Sequence, residues 1–237
     1  MRYPLNLAVG CLLLSPCTGP RPVEAEVELP AGLRNLRLLY KDNFESDSTA
    51  RWEPTDATAW RIESIGDNRV YSQFKRRSKY EPPVRSPYNR SLLRDVIVGD
   101  LVLDVRLQST IPDYGHRDLC LFFGYQDASH FYYVHLGKKA DDHANQIFIV
   151  DGKPRKKISI TSTPGTNWDD QWHHARVVRL VATGEIRVYF DDMRKPIMTA
   201  RDRSFVWGRV GVGSFDDTGR FDDMRLHGCP VPMQPRR

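Results

Sequence analysis

The chain has 237 residues, 40% of them hydrophobic and 27% charged, with a formal net charge of +5. That length suits one domain of the larger all-β kind, and the composition excludes intrinsic disorder. Past the N-terminus no run approaches the ~18 apolar residues that a membrane helix needs, so an integral membrane protein is not expected.

The N-terminus reads as a secretory signal. Arg2 supplies the positive start, residues 5–14 are a short apolar run, and Val23-Glu24-Ala25 fits a small-x-small cleavage site. Pro16, Pro20 and Pro22 break any strand or helix there. The expectation is a signal over residues 1–25, one domain over 26–229 and a loose tail over 230–237. The destination is then secreted, periplasmic or cell-envelope. Cys11 and Cys17 fall inside the signal, and Pro16 makes Cys17 a poor lipid-anchor site. Cys120 and Cys229 remain, too few for a disulfide scaffold or a zinc site of known spacing. A bridge between them stays open in an oxidising compartment.

Without the signal the balance is 33 basic against 29 acidic residues. Two runs carry much of the excess, Lys75-Arg76-Arg77-Ser78-Lys79 and Lys153-Pro154-Arg155-Lys156-Lys157. Neither is interleaved with aromatics, so both read as solvated turns, with nucleic acid not expected as a partner.

Along the domain, residues 26–39 are a lead-in and residues 40–46 give a short strand followed by a polar loop. Residues 60–63 and 69–73 form a hairpin about the Gly66-Asp67-Asn68 turn. Residues 74–90 are basic and proline-rich and read as a loop, and residues 91–98 as a strand. Residues 101–108 alternate cleanly: Leu101, Leu103, Val105 and Leu107 share one face, and Val102, Asp104, Arg106 and Gln108 the other. The meander over residues 119–125, 130–136 and 146–151 is rich in Phe, Tyr, Val and Ile. In its middle strand Tyr132, Val134 and Leu136 face the core. Phe131, Tyr133 and His135 face the other way, which suggests a sheet with a working second face. Further strands are expected at 158–160, 173–181, 185–190, 196–198, 208–215 and 220–228. The sum is roughly a dozen short strands without sustained helical periodicity, the pattern of an antiparallel β-sandwich or barrel.

The second half carries a resemblance. Trp172 before an apolar strand, then GEIRVYFDD, KPIM, WGRVGVGSFDD and GRFDDMRLHG, with DNFE near the start, is similar to the concanavalin A-like (laminin-G-like) jelly-roll superfamily. It resembles in particular the bacterial exported domains near the 3-keto-disaccharide hydrolases. The resemblance covers most of residues 40–228 and implies two antiparallel sheets face to face, with first and last strands adjacent. It does not fix a function, because the superfamily holds lectins, glycan-binding modules, hydrolases and lyases. The two-carboxylate strand of endoglucanase members is absent. Arg90-Ser91-Leu92-Leu93-Arg94 and Gln146-Ile147-Phe148 only approach the motifs of alginate lyases.

Three candidate sites follow. The resemblance implies structural calcium between first and last strands, where Asp42, Glu45, Asp222 and Asp223 supply hard oxygens. If their strands are neighbours, Asp104, Arg106, Arg117, Tyr133, His135 and Gln146 line one concave face. There Tyr133 would stack on a sugar, with Arg106, Arg117, His135 and Gln146 meeting its hydroxyls. His135 with Asp104 or Asp118, or Arg117, are the candidates for acid–base chemistry. The loop with Asp141, Asp142 and His143, beside His116, matches no established metal spacing and reads as a solvated rim. Trp168, Trp172 and Trp207 read as core. The leading expectation is a monomeric, non-catalytic binder of a carbohydrate or cell-surface polymer. A glycan-processing enzyme and a structural envelope protein are the alternatives.

Overall fold

The computed structural model describes residues 28–232. The expected signal peptide and most of the expected tail lie outside that range. Residues 28–34 belong to a small unit of their own, in which Arg34 and Glu28 pair at 2.9 Å. Residues 35–232 form one β unit.

Sixteen strands follow in order. They are β1 (Arg37–Asp42), β2 (Trp52–Pro54), β3 (Trp60–Ile65), β4 (Asn68–Gln73), β5 (Asn89–Leu93), β6 (Val98–Ser109), β7 (Asp118–Asp127) and β8 (His130–Gly137). The rest are β9 (Gln146–Asp151), β10 (Lys156–Lys157), β11 (Ser159–Ser162), β12 (His173–Leu180), β13 (Glu185–Phe190), β14 (Met198–Arg201), β15 (Arg209–Ser214) and β16 (Gly219–Pro230). Two single 3-10 turns are the only helical pieces described.

The strands form two antiparallel sheets. The nine-stranded sheet runs β11-β14-β13-β12-β6-β16-β4-β3, with β1 also on β16. The seven-stranded sheet runs β10-β9-β8-β7-β15-β5-β2. First and last strands pair, Asp42 opposite Met224, as the resemblance implied.

Alternation decides what lies between the sheets. Leu101, Leu103, Val105 and Leu107 of β6 meet Leu119, Leu121, Phe123, Tyr132, Val134 and Leu136 of β7 and β8 in one fully buried core. Trp168 caps one end, its indole donating to the Leu136 carbonyl at 2.6 Å. The strand expected over 91–98 ends earlier. Asp95 takes a left-handed backbone (φ 56°) just after β5 closes at Leu93, so the chain turns there before β6. Cys120 and Cys229 are both free thiols, Cys120 buried in the seven-stranded sheet and Cys229 exposed near the end of β16, so the possible bridge is not made.

Candidate functional site

The structure divides the residues expected to share one concave face. Asp104 and Arg106 lie on β6 in the nine-stranded sheet, while Tyr133, His135 and Gln146 lie on β8 and β9 in the other. Arg117 joins neither face. It is buried at the start of β7, donating to the Ser109 hydroxyl (2.9 Å), the Ser109 carbonyl (3.0 Å), the Asp169 carbonyl (2.9 Å) and Asp170 Oδ1 (2.8 Å). It clamps the end of β6 to the loop before β12, and its remaining nitrogen, Nη1, faces Asp113 at 3.7 Å.

On the seven-stranded sheet the second face of the meander is a second apolar layer. Cys120, Phe122 and Tyr125 of β7, Phe131 and Tyr133 of β8, and Phe148 and Val150 of β9 form one buried cluster. Tyr133 stacks on Phe148 at 5.1 Å between centroids and is 0% exposed, its hydroxyl accepting from Arg155 at 2.9 Å. Such ring pairs contribute about 1 kcal/mol beyond their buried area. The expected role of Tyr133 as an open stacking platform is therefore corrected: the ring is occupied by its own neighbours.

The cover is the proline-rich run 74–88. Pro82, Pro83 and Pro87 lack backbone donors, so the run does not add a strand. It lies across the face as a strap instead. Val84 packs on the aromatic layer, the Arg85 carbonyl accepts from the Arg155 amide at 3.0 Å, and Tyr88 meets Phe215 edge-on. Its Lys75, Arg76, Arg77, Lys79 and Arg85 remain exposed. The spacing of Tyr80, Val84 and Tyr88 inside a basic run was the available sequence signal for this cover.

At one end of the face the polar groups gather. His135 Nε2 stands 3.5 Å from Asp118 Oδ2, and Cys120 Sγ donates to the same oxygen at 3.4 Å. Burial holds the His135 imidazole neutral and pushes its pKa down to about 3, with Arg155 and His116 adding to the effect. Burial, and then the charge of Asp217, push Asp118 well above the carboxylate range. Burial and Asp118 likewise raise the Cys120 thiol, so it is no nucleophile. The Asn145 amide donates to His135 Nδ1 at 3.4 Å, which leaves the proton on Nε2, pointing at Asp118. That tautomer has no lone pair for a metal on the side where Asp118 and Cys120 converge, so this trio does not fit a zinc site.

The rim above is open. His116 Nε2 meets Asp141 Oδ2 at 3.1 Å, with the two side chains 61% and 43% exposed. Gln146 donates to the Asp141 carbonyl at 3.0 Å, and the His143 amide to Asp141 Oδ1 at 2.6 Å. Asp142 pairs with Lys157, and Lys138 with Asp113. Arg155 completes the mouth, half-buried, its guanidinium 4.1 Å from the Phe215 centroid and 4.9 Å from that of Phe148. The loop expected as a solvated rim thus supplies the exposed side of the site.

The outer face of the nine-stranded sheet is a charge lattice. Asp104 is buried and accepts from Arg176 Nε and lies against His174 Nε2, each at 2.7 Å. Arg106, 49% exposed, reaches Asp223 at 3.5 Å and lies over the ring of Trp172, which is half-buried on this outer face and not the core residue expected. Register explains the set: His174 pairs with Arg106 and Arg176 with Asp104 across β12 and β6. Sequence reasoning read the outward alternation of β6 but had no means to choose β12 as its partner.

The calcium ligands expected between β1 and β16 do not converge. Asp42 accepts from Tyr40 (2.5 Å), the Phe44 amide (2.9 Å) and the Trp52 indole (3.1 Å). Asp222 accepts from Asn68 at 2.9 Å, Asp223 faces Arg106, and Glu45 accepts from the Arg69 amide. Among the described residues these four form no carboxylate cluster, so they do not fit a calcium shell.

No family model matches the sequence, and no curated protein matches it. Solved structures do match in fold. A carbohydrate-binding module of Bacillus subtilis superposes with a TM-score of 0.53 at 15% identity, covering 75% of this chain and 96% of its own. Domain 4 of an extracellular arabinanase of Geobacillus stearothermophilus, solved with arabinotriose, gives 0.54 at 12% identity, over 83% and 94%. A Griffonia simplicifolia lectin gives 0.51 at 12%, over 79% and 97%. The fold is the concanavalin A-like jelly roll. Within this jelly roll the strap and the aromatic layer close most of the outer face of the seven-stranded sheet, and the His116–Asp141 rim leaves one end of it reachable.

Proposed function

We propose that this jelly roll is an exported carbohydrate-binding protein that holds its ligand at the rim of the seven-stranded sheet, without catalysis. The observation that carries the reading is the pairing of chemistries at that mouth. Exposed His116 and Asp141 pair at 3.1 Å, and His116 acts on buried His135 together with Arg155, whose guanidinium lies on Phe148 and Phe215. Sugars present hydroxyls and apolar C–H groups together, and a mouth with a few placed polar groups beside half-buried Phe215 answers both. The names of the structural neighbours agree with this reading, by analogy of fold only.

The non-catalytic part rests on burial. His135 is 4% exposed and Asp118 1%, so the expected acid–base pair does not touch a ligand at the rim. A glycan-processing enzyme is the second reading, and one observation favours it: the exposed His116–Asp141 pair has the composition of a general acid–base dyad.

A glycan array probed with the purified protein, followed by a reducing-end assay on any polymer bound, tests both readings. Retention on one glycan class with no new reducing ends is the expected result. A blank array contradicts the proposal. Release of reducing ends that His116→Ala abolishes replaces the binder with the enzyme.

A further inference from the structure

At the other end of the same face Arg90 is 3% exposed, and its Nε and Nη1 are buried without a hydrogen-bond partner. Only Nη2 is engaged, donating to the Tyr80 hydroxyl at 3.3 Å and the Tyr125 hydroxyl at 3.2 Å. Tyr80, Tyr125 and Phe131 surround the guanidinium, with centroids 5.3, 4.7 and 5.4 Å from Cζ. Among the described residues no carboxylate forms an ion pair with it. The nearby acid Glu53 is taken by Arg209 at 2.6 Å. A guanidinium is always charged, and a buried charge left unpaired is costly. Aromatic faces offset part of that cost, but they do not satisfy the three N–H groups of these two nitrogens, which lie in its plane.

The neighbouring strand faces it with glycine. Gly213 is the register partner of Arg90 and of Cys120, and Gly211 of Leu92 and Phe122. Register partners share a face, so β15 places no side chain directly across from Arg90, and its Arg209 lies on the same Tyr125 ring, 5.5 Å from the centroid. The surroundings are also positive. The two basic runs, with four cationic residues each, both border this face: one opens the strap, and the other surrounds Arg155. Tyr80, on the strap and half-buried, lies against the guanidinium as its cover.

We propose that Arg90 is the anchor for an anionic group, a carboxylate or a sulfate ester, carried by the glycan. This rests on the carbohydrate-binding reading above and deepens it. The ligand's negative group takes Nε together with the Nη2 hydrogen that Tyr80 releases, in a two-pronged bond once Tyr80 turns aside. The basic runs draw such a polymer in, so binding weakens with salt.

The test uses three probes on the purified protein by titration calorimetry: a galacturonate trimer, glucose 6-sulfate and neutral cellotriose. An anionic probe is expected to bind at least ten-fold more tightly than cellotriose and to lose at least ten-fold in Arg90→Met. Whichever anion responds identifies the group. Arg90→Met is also expected to melt no lower than the parent without ligand, because it removes an uncompensated charge; a clearly lower melting temperature means that Arg90 serves packing and overturns the proposal. Equal affinity for cellotriose, or anion affinity intact in Arg90→Met, overturns the anionic anchor while leaving glycan binding in place. No binding to any probe also overturns it, and the glycan array then decides separately whether the protein binds sugar at all.

Discussion

His135 and Asp222 carry ionisations that folding opposes in opposite directions. For His135, burial lowers the folded pKa to about 3. The stability from keeping it neutral is complete above its ordinary pKa near 6.5 and drains as pH falls toward 3. For Asp222, burial and then the neighbouring Asp223 charge raise the folded value to about 6. Its contribution is complete below the ordinary carboxylate value and is lost as pH rises through 6. Urea unfolding from pH 3.5 to 8 checks both signs. Asp222→Asn is expected to gain on the parent between pH 4 and 6, and a His135→Gln variant to lose less than the parent between pH 6.5 and 4. Parallel profiles for variant and parent would contradict the assignment. At this scale the sequence was legible where alternation speaks: Tyr132, Val134 and Leu136 face the core as read. The fate of Tyr133 and His135 was not legible, because alternation names a face without saying what covers it.

Strand β15 and the strap show the same division among elements. The sequence marked Gly211 and Gly213 within GRVGVGS as strand, and the structure gives the reason for glycine. A Cβ on Gly213 would stand 2.1 Å from the Asn89 carbonyl oxygen, and one on Gly211 2.3 Å from that of Ser91. Gly213→Ala is expected to cost about 3 kcal/mol, as overpacking against backbone does. Gly115→Ala, whose nearest neighbour would be a lysine methylene at 3.5 Å, should stay within about 0.5 kcal/mol. Thermal melts of the two variants separate these outcomes, and equal melting temperatures would contradict the close approach. The strap read correctly as a loop because its prolines and charges deny it a ladder. That it lies on an aromatic layer depends on contacts far apart in the sequence, such as Arg155 with Arg85, which no local pattern announces.

For the whole molecule, the sandwich and its adjacent first and last strands were visible in the order of short alternating strands and in the motifs of the second half. The assignment of strands to sheets was not. β6 and β8 look equivalent in sequence, each with one apolar and one decorated face, yet they fall in opposite sheets. The expected six-residue cleft therefore separates into two outer faces, one centred on Arg106 and Trp172, the other bounded by His116 and Arg90. The account places the glycan on the second. The measurement that tests this most directly is the affinity of the parent, His116→Ala and Arg106→Ala for the glycan retained on the array, measured by titration at one salt concentration. Both side chains are exposed, so neither variant should disturb the fold. The account predicts at least ten-fold weaker binding for His116→Ala and an unchanged constant for Arg106→Ala. Loss with Arg106→Ala and none with His116→Ala would move the site to the nine-stranded sheet and contradict it.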